Sequence, residues 1–162
     1  VTGKRAGAIT WQRGGSRTRD LPAAFVRVLI IASMVQASQR ALDYLTDPPI
    51  TSTTYAIVEQ LLTIQGWGWL IVASLTVLAV GMAGGWLLLR WLGHLMLALT
   101  YGTLMTGMYW QILSETSFPW DGLRGPGGLL LVFVLHALLA WRRTQDMQDA
   151  MVARDRRKGA RQ

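Results

Sequence analysis

The 162-residue chain contains no cysteine, which excludes disulfides, thiolate metal sites and cysteine nucleophiles. It is also short of charge. Only 15% of its residues are Asp, Glu, Lys or Arg, and the forty-nine residues from Gly66 to Ser114 carry a single charge, Arg90. A helix at a soluble surface needs polar positions on its outer face, and a buried core helix seldom exceeds about 14 apolar residues, whereas a bilayer span takes about 20. Two spans fit back to back in this stretch. Chemistry-bearing motifs are missing as well: there is no phosphate-binding glycine loop, no HExxH zinc-protease motif and no Ser/His/Asp arrangement. The two histidines, His94 and His136, are forty-two residues apart, and neither has a carboxylate at metal-ligand spacing, which a proton relay or metal site in the bilayer core is expected to need. The expectation is a protein that is not an enzyme and has no cofactor or metal site. His136 is expected to make a helix-packing hydrogen bond, because an unpaired polar group in lipid is costly. His94 is placed near the inner membrane interface.

What the chain does have is apolar bulk, at 51% of residues, and a net charge of +7 concentrated at its two ends. Residues 1–20 and residues 142–162 each carry +4, and the middle nets to −1. Lys and Arg flanking membrane spans are retained in the cytoplasm, so both termini are expected there, which requires an even number of spans. The fold class that follows is an all-α integral membrane bundle of four transmembrane helices. It divides into a basic flexible N-terminus (1–20), a four-helix transmembrane domain (21–141) and a basic tail (142–162).

The first span, Leu21 to Leu42, includes Arg27, Gln36, Gln39 and Arg40, with both arginines near its ends, where they can snorkel to headgroups. Asp43, Asp47, Pro48 and Pro49 then close it with an acidic outer loop. Thr53 to Gln65 has the spacing of a short interfacial helix. Spans two and three can be divided in two ways. Placing Arg90 at the inner turn, with spans Trp67–Leu89 and Leu92–Leu113, puts Trp67, Trp69, Trp86, Trp91, Tyr109 and Trp110 in the aromatic belts and is preferred. The other division sets the turn at Gly81 to Gly85 and leaves Arg90 one turn inside span three. Ser114 to Gly128 forms a second outer loop. The last span, Gly127 to Trp141, reaches only about 22 Å, so it must thin the bilayer or start earlier, near Trp120.

Ser33, Gln36, Arg40 and Asp43 fall on one side of the first helix, with Arg40 and Asp43 spaced to pair. This stripe is either satisfied inside the bundle or turned, in an oligomer, toward a water-filled lumen. Gly81 with Gly85, Ala98 with Gly102, and Thr103 with Gly107 repeat a small-xxx-small pattern that suits helix packing, within one subunit or in a homo-oligomer. The tail alternates its cations with Asp146, Asp149 and Asp155 and lacks aromatic residues beyond the membrane edge. It suits anionic lipid at the inner face, at about 1 kcal/mol per nearby Lys or Arg, rather than nucleic acid. No small-molecule substrate is indicated. The basic start runs into a span without a small-residue cleavage site, so the first span is expected to be a retained anchor. Val1-Thr2 has the form of a literally translated GTG start in a bacterial or phage gene, or of the cut end of a longer chain.

In layout the chain resembles the small phage holins: short, cysteine-free, several spans, a polar first span and a strongly basic tail ending in Arg154 to Arg161. The resemblance implies accumulation in the bacterial cytoplasmic membrane, lateral assembly through helix faces, and opening of lesions that release endolysin. Holin-like permeabilisation is the leading expectation. Four spans exceed the common one to three, and the tryptophan content favours a well-packed resident bundle. The alternative is a non-lytic membrane accessory protein, such as a superinfection-exclusion or assembly factor. A proton-coupled exporter of the small multidrug-resistance type would need a membrane-embedded Glu in its first span, and Asp43 and Glu59 lie at the outer edge instead.

Overall fold

The computed structural model describes residues 23–46, 55–114 and 124–159. The basic N-terminus 1–20 and most of both expected outer loops lie outside the described residues. Those described form five helices and no strand: α1 (Ala23–Thr46), α2 (Ala56–Leu61), α3 (Ile64–Ala83), α4 (Leu87–Ser114) and α5 (Arg124–Gly159). All except α2 are long and apolar enough to cross a membrane. The chain is an all-α, multi-pass membrane protein.

Its surface is inverted relative to a soluble bundle. Val28, Ile31 and Val35 of α1, Trp69 of α3, Leu99 and Trp110 of α4, and Leu131 and Leu138 of α5 are all exposed. An apolar exterior of this extent on every long helix is the surface that lipid tails cover. The core beneath it is built around α4, which packs against α2, α3 and α5, while α1 closes on α3. One cluster joins Ala37, Ala41 and Tyr44 of α1 to Ile71 and Leu78 of α3, Leu97, Tyr101 and Leu104 of α4, and Leu129 of α5. A second joins Val26 and Ile30 at the start of α1 to Leu139 of α5.

The turn between α3 and α4 corrects the preferred division of the spans. α3 ends at Ala83 and the chain reverses at Gly84-Gly85, so the other division holds and Arg90 lies inside α4. Gly85 is left-handed (φ 70°), a conformation that costs a side-chain-bearing residue about 1–2 kcal/mol. The N–H of Trp86 donates to Gly81 O and that of Gly85 to Met82 O, the paired bonds of a Schellman motif. Arg90 reaches back to this end: its Nε donates to Gly81 O (3.0 Å) and its Nη2 to Met82 O (3.2 Å). A cation thus sits on the negative end of the α3 dipole and satisfies carbonyls that lipid could not. An arginine at a helix C-terminus does not need to mark the turn itself.

The expected interfacial helix is also different. α2 is six residues long, and the chain breaks at Leu62-Thr63 before α3 begins. Thr63 caps α3, its hydroxyl accepting from Gly66 N at 3.1 Å. Rather than lying free at an interface, α2 is buried at Val58 against α4, and Trp67 Nε1 donates to Val58 O at 3.2 Å. α5 runs unbroken past position 142, and 36 residues give about 54 Å, well beyond one hydrocarbon core. The helix that carries the last span continues directly into the basic tail, and the expected start near Trp120 lies outside the described residues.

Close backbone approach sets the packing of α4. A Cβ on Gly93 would meet the Cα of Leu78 at 2.7 Å, and one on Gly81 would meet Arg90 N at 2.6 Å. At Gly127 nothing lies within 4 Å. Gly93→Ala should therefore destabilise the bundle by about 1–3 kcal/mol through forced separation of α3 and α4. Gly127→Ala should stabilise it by about 0.5–1 kcal/mol through helix propensity alone. Unfolding in mixed micelles, followed by circular dichroism, measures both.

Candidate functional site

Among the described residues the buried polar side chains are Ser33, Ser74, Thr100, His94 and His136. The three hydroxyls are satisfied by their own helices: Ser33 donates to Ile30 O (2.8 Å), Ser74 to Leu70 O (2.7 Å) and Thr100 to Met96 O (2.9 Å). Such back-bonding lets Ser and Thr sit in a bilayer without any external partner. The histidines have no such local escape. They satisfy each other across helices instead.

His94 lies two turns into α4 and His136 midway along the apolar half of α5, and their Nδ1 atoms are 3.0 Å apart. His94 is 1% exposed and its ring meets His136 inside the bundle. The cause is its neighbour. Successive residues of a helix point about 100° apart, so with Gly93 turned onto Leu78 of α3, residue 94 is turned toward α5. His136 makes the interhelical hydrogen bond expected of it. Its ring stacks on Tyr101, parallel to within 4° with centroids 6.2 Å apart. Tyr101 is seven residues from His94, on the same face of α4.

Polar groups continue beyond Tyr101. Tyr44 of α1 shares the core cluster with it, Tyr55 meets Tyr44 edge-on at 6.3 Å, and the Arg40 guanidinium lies 5.8 Å from the Tyr44 ring centre. Arg40 is close enough to act electrostatically on both phenols. Four buried side-chain atoms have no hydrogen-bond partner among the described residues: Gln36 Oε1, Tyr44 Oη, Tyr101 Oη and His136 Nε2. Native interiors leave few such atoms, and where they occur a bound water, ion or ligand is the usual reason. At the other end, Arg143 acts electrostatically on His94, and Trp91 Nε1, one turn before His94, donates to Thr144 Oγ1 at 3.1 Å.

The first-span stripe is divided by this arrangement. Ser33 is buried, Gln36 and Arg40 border the buried face made by Ala37, Ala41 and Tyr44, and Asp43 is exposed. Arg40 and Asp43 form no ion pair, because the guanidinium turns inward over the Tyr44 ring. Of the small residues, Gly102 lies against the Phe133 ring of α5 (3.1 Å from a built Cβ), Gly107 against Val58 of α2 (2.6 Å), and Gly81 against the start of α4. Ala98 is buried, and Gly85 serves the turn instead of a packing face. Sequence reasoning missed Gly93 and Gly68, both buried at helix contacts, and it missed the pairing of the histidines. No spacing rule links positions 94 and 136, although a buried pair of the only two histidines is the simplest way to satisfy both in lipid.

The chain matches no protein-family model, no curated protein and no solved structure.

The energetic weight of the pair can be read by deletion. His136→Ala leaves the His94 Nδ1 without its partner and should cost about 1–3 kcal/mol, whereas Tyr101→Phe removes an atom that has no partner among the described residues and should cost about 1 kcal/mol or less. Chemical unfolding of both variants in micelles tests the order, and equal costs would show that the histidine contact carries no stability.

Proposed function

We propose that this is a non-lytic resident accessory protein of a bacterial cytoplasmic membrane, not an enzyme, with both termini in the cytoplasm and its basic tail on anionic lipid. The observation that carries this reading is the inward placement of its polar groups. Ser33, His94 and His136 are buried among helices, Arg40 folds over Tyr44, and the exposed hydroxyls of Thr76 and Thr103 are bonded to their own backbones. The exposed surface of the long helices is mainly apolar, which suits permanent residence in lipid. The positive charge at residues 1–20 and 142–162 supports cytoplasmic ends.

A second reading, holin-like permeabilisation by an oligomer, rests on Ser38, Gln39 and Asp43, which are exposed on the outer half of α1. The two readings differ in what expression does to a cell. With inducible expression in a bacterial host, the resident reading expects unbroken growth, retained intracellular potassium and exclusion of a membrane-impermeant dye despite confirmed insertion. Delayed, abrupt growth arrest with potassium loss and dye uptake would replace it with the holin-like reading.

A further inference from the structure

The proton inventory of the histidine pair is fixed by its geometry. A hydrogen bond between two Nδ1 atoms requires one ring to carry a proton there and the other to present a lone pair. When both rings are neutral, the donor ring therefore has a bare Nε2 and the acceptor ring has Nε2–H. The pair ends in one acceptor and one donor whichever histidine donates. One of those ends, His136 Nε2, is buried without a partner among the described residues, and the His136 ring stacks on Tyr101, whose hydroxyl is likewise unpartnered among them. Tyr44 Oη and Gln36 Oε1 of α1 are also buried without a hydrogen-bond partner among the described residues; Tyr44 shares the core cluster with Tyr101, and the Arg40 guanidinium lies 5.8 Å from the Tyr44 ring centre.

From the contact of these two rings with a run of unpartnered buried polar atoms, we propose that His94 and His136 are a proton relay, linked through bound water to Tyr101, Tyr44 and Gln36. A proton arriving at the bare Nε2 of one ring forms an N–H bond there. The shared proton crosses from that ring's Nδ1 to the other Nδ1, and the Nε2–H bond of the second ring breaks, releasing its proton to water. The pair holds two protons before and after, so it stores no charge in a medium where a lone imidazolium would be expensive. A membrane carboxylate is not required for that step. The driving force is the proton gradient or the membrane potential.

The groups facing the relay come from three helices: Arg40 and Tyr44 from α1, Tyr101 from α4 and Arg143 from α5. α3 contains no titratable side chain. Arg90 is held on the α3 carbonyls, and Glu59 is exposed. Each transfer reverses the tautomers, and a second proton in the same direction must wait until the rings exchange them. With Tyr101 stacked on His136, ring rotation is hindered, so the relay is slow and selective rather than an open channel.

The test uses the full chain purified into phosphatidylethanolamine–phosphatidylglycerol vesicles, with an entrapped pH-sensitive dye and an inside-negative potassium–valinomycin potential. The wild type should acidify vesicles faster than protein-free controls while retaining a second, inert entrapped dye. His136→Asn and His94→Asn, shown by circular dichroism to be helical, should lower the flux at least about tenfold, and Tyr101→Phe about threefold. Wild-type flux equal to that of empty vesicles, flux unchanged by the histidine substitutions, or equal loss of the inert dye would each overturn the relay. If neither histidine variant inserts, Tyr101→Phe decides, since it removes one oxygen: a threefold loss supports the relay and an unchanged rate overturns it.

Discussion

The rest of this bundle depends on the contact of Gly93 with the backbone of Leu78. With a built Cβ only 2.7 Å from Leu78 Cα, no side chain fits there, and α4 is pinned against α3 in one rotational setting. That setting sends His94 toward α5. Gly102, against the Phe133 ring, then fixes how closely α5 approaches and brings His136 within hydrogen-bond distance of His94. In a medium that offers apolar groups no preference between lipid and protein, close packing of this kind is a main source of helix association. The glycines here do more than permit it. They aim the polar residues.

The same economy explains why so apolar a chain tolerates its polar groups. Hydroxyls return their protons to carbonyls three or four residues back, the guanidinium of Arg90 closes the α3 terminus, and the two histidines bond each other. Each solution uses a partner already inside the bundle. The four atoms left over, on Gln36, Tyr44, Tyr101 and His136, belong to α1, α4 and α5. Tyr101 stacks on His136 and shares the core cluster with Tyr44.

The spans were legible in the sequence because a run of forty-nine residues with one charge has few alternatives in water. The turn between α3 and α4 was less so. Gly84-Gly85 is a strong C-terminal signal, but Arg90 and the tryptophans argued for a later turn, and the competing signal could be weighed only once Arg90 was seen reaching back to Gly81 and Met82. The stripe on α1 was visible as a stripe, yet periodicity cannot say how far a helix is rotated, and Arg40 turned toward Tyr44 instead of Asp43. The histidine pair left no local trace, since its two members come from different helices and depend on glycines whose role is tertiary.

The unbroken course of α5 has a mechanical consequence. One rigid rod joins Arg156, Arg157 and Lys158 at its far end to His136 in the bundle, with no hinge between them. Whatever binds the distal cations therefore holds the same helix that carries His136.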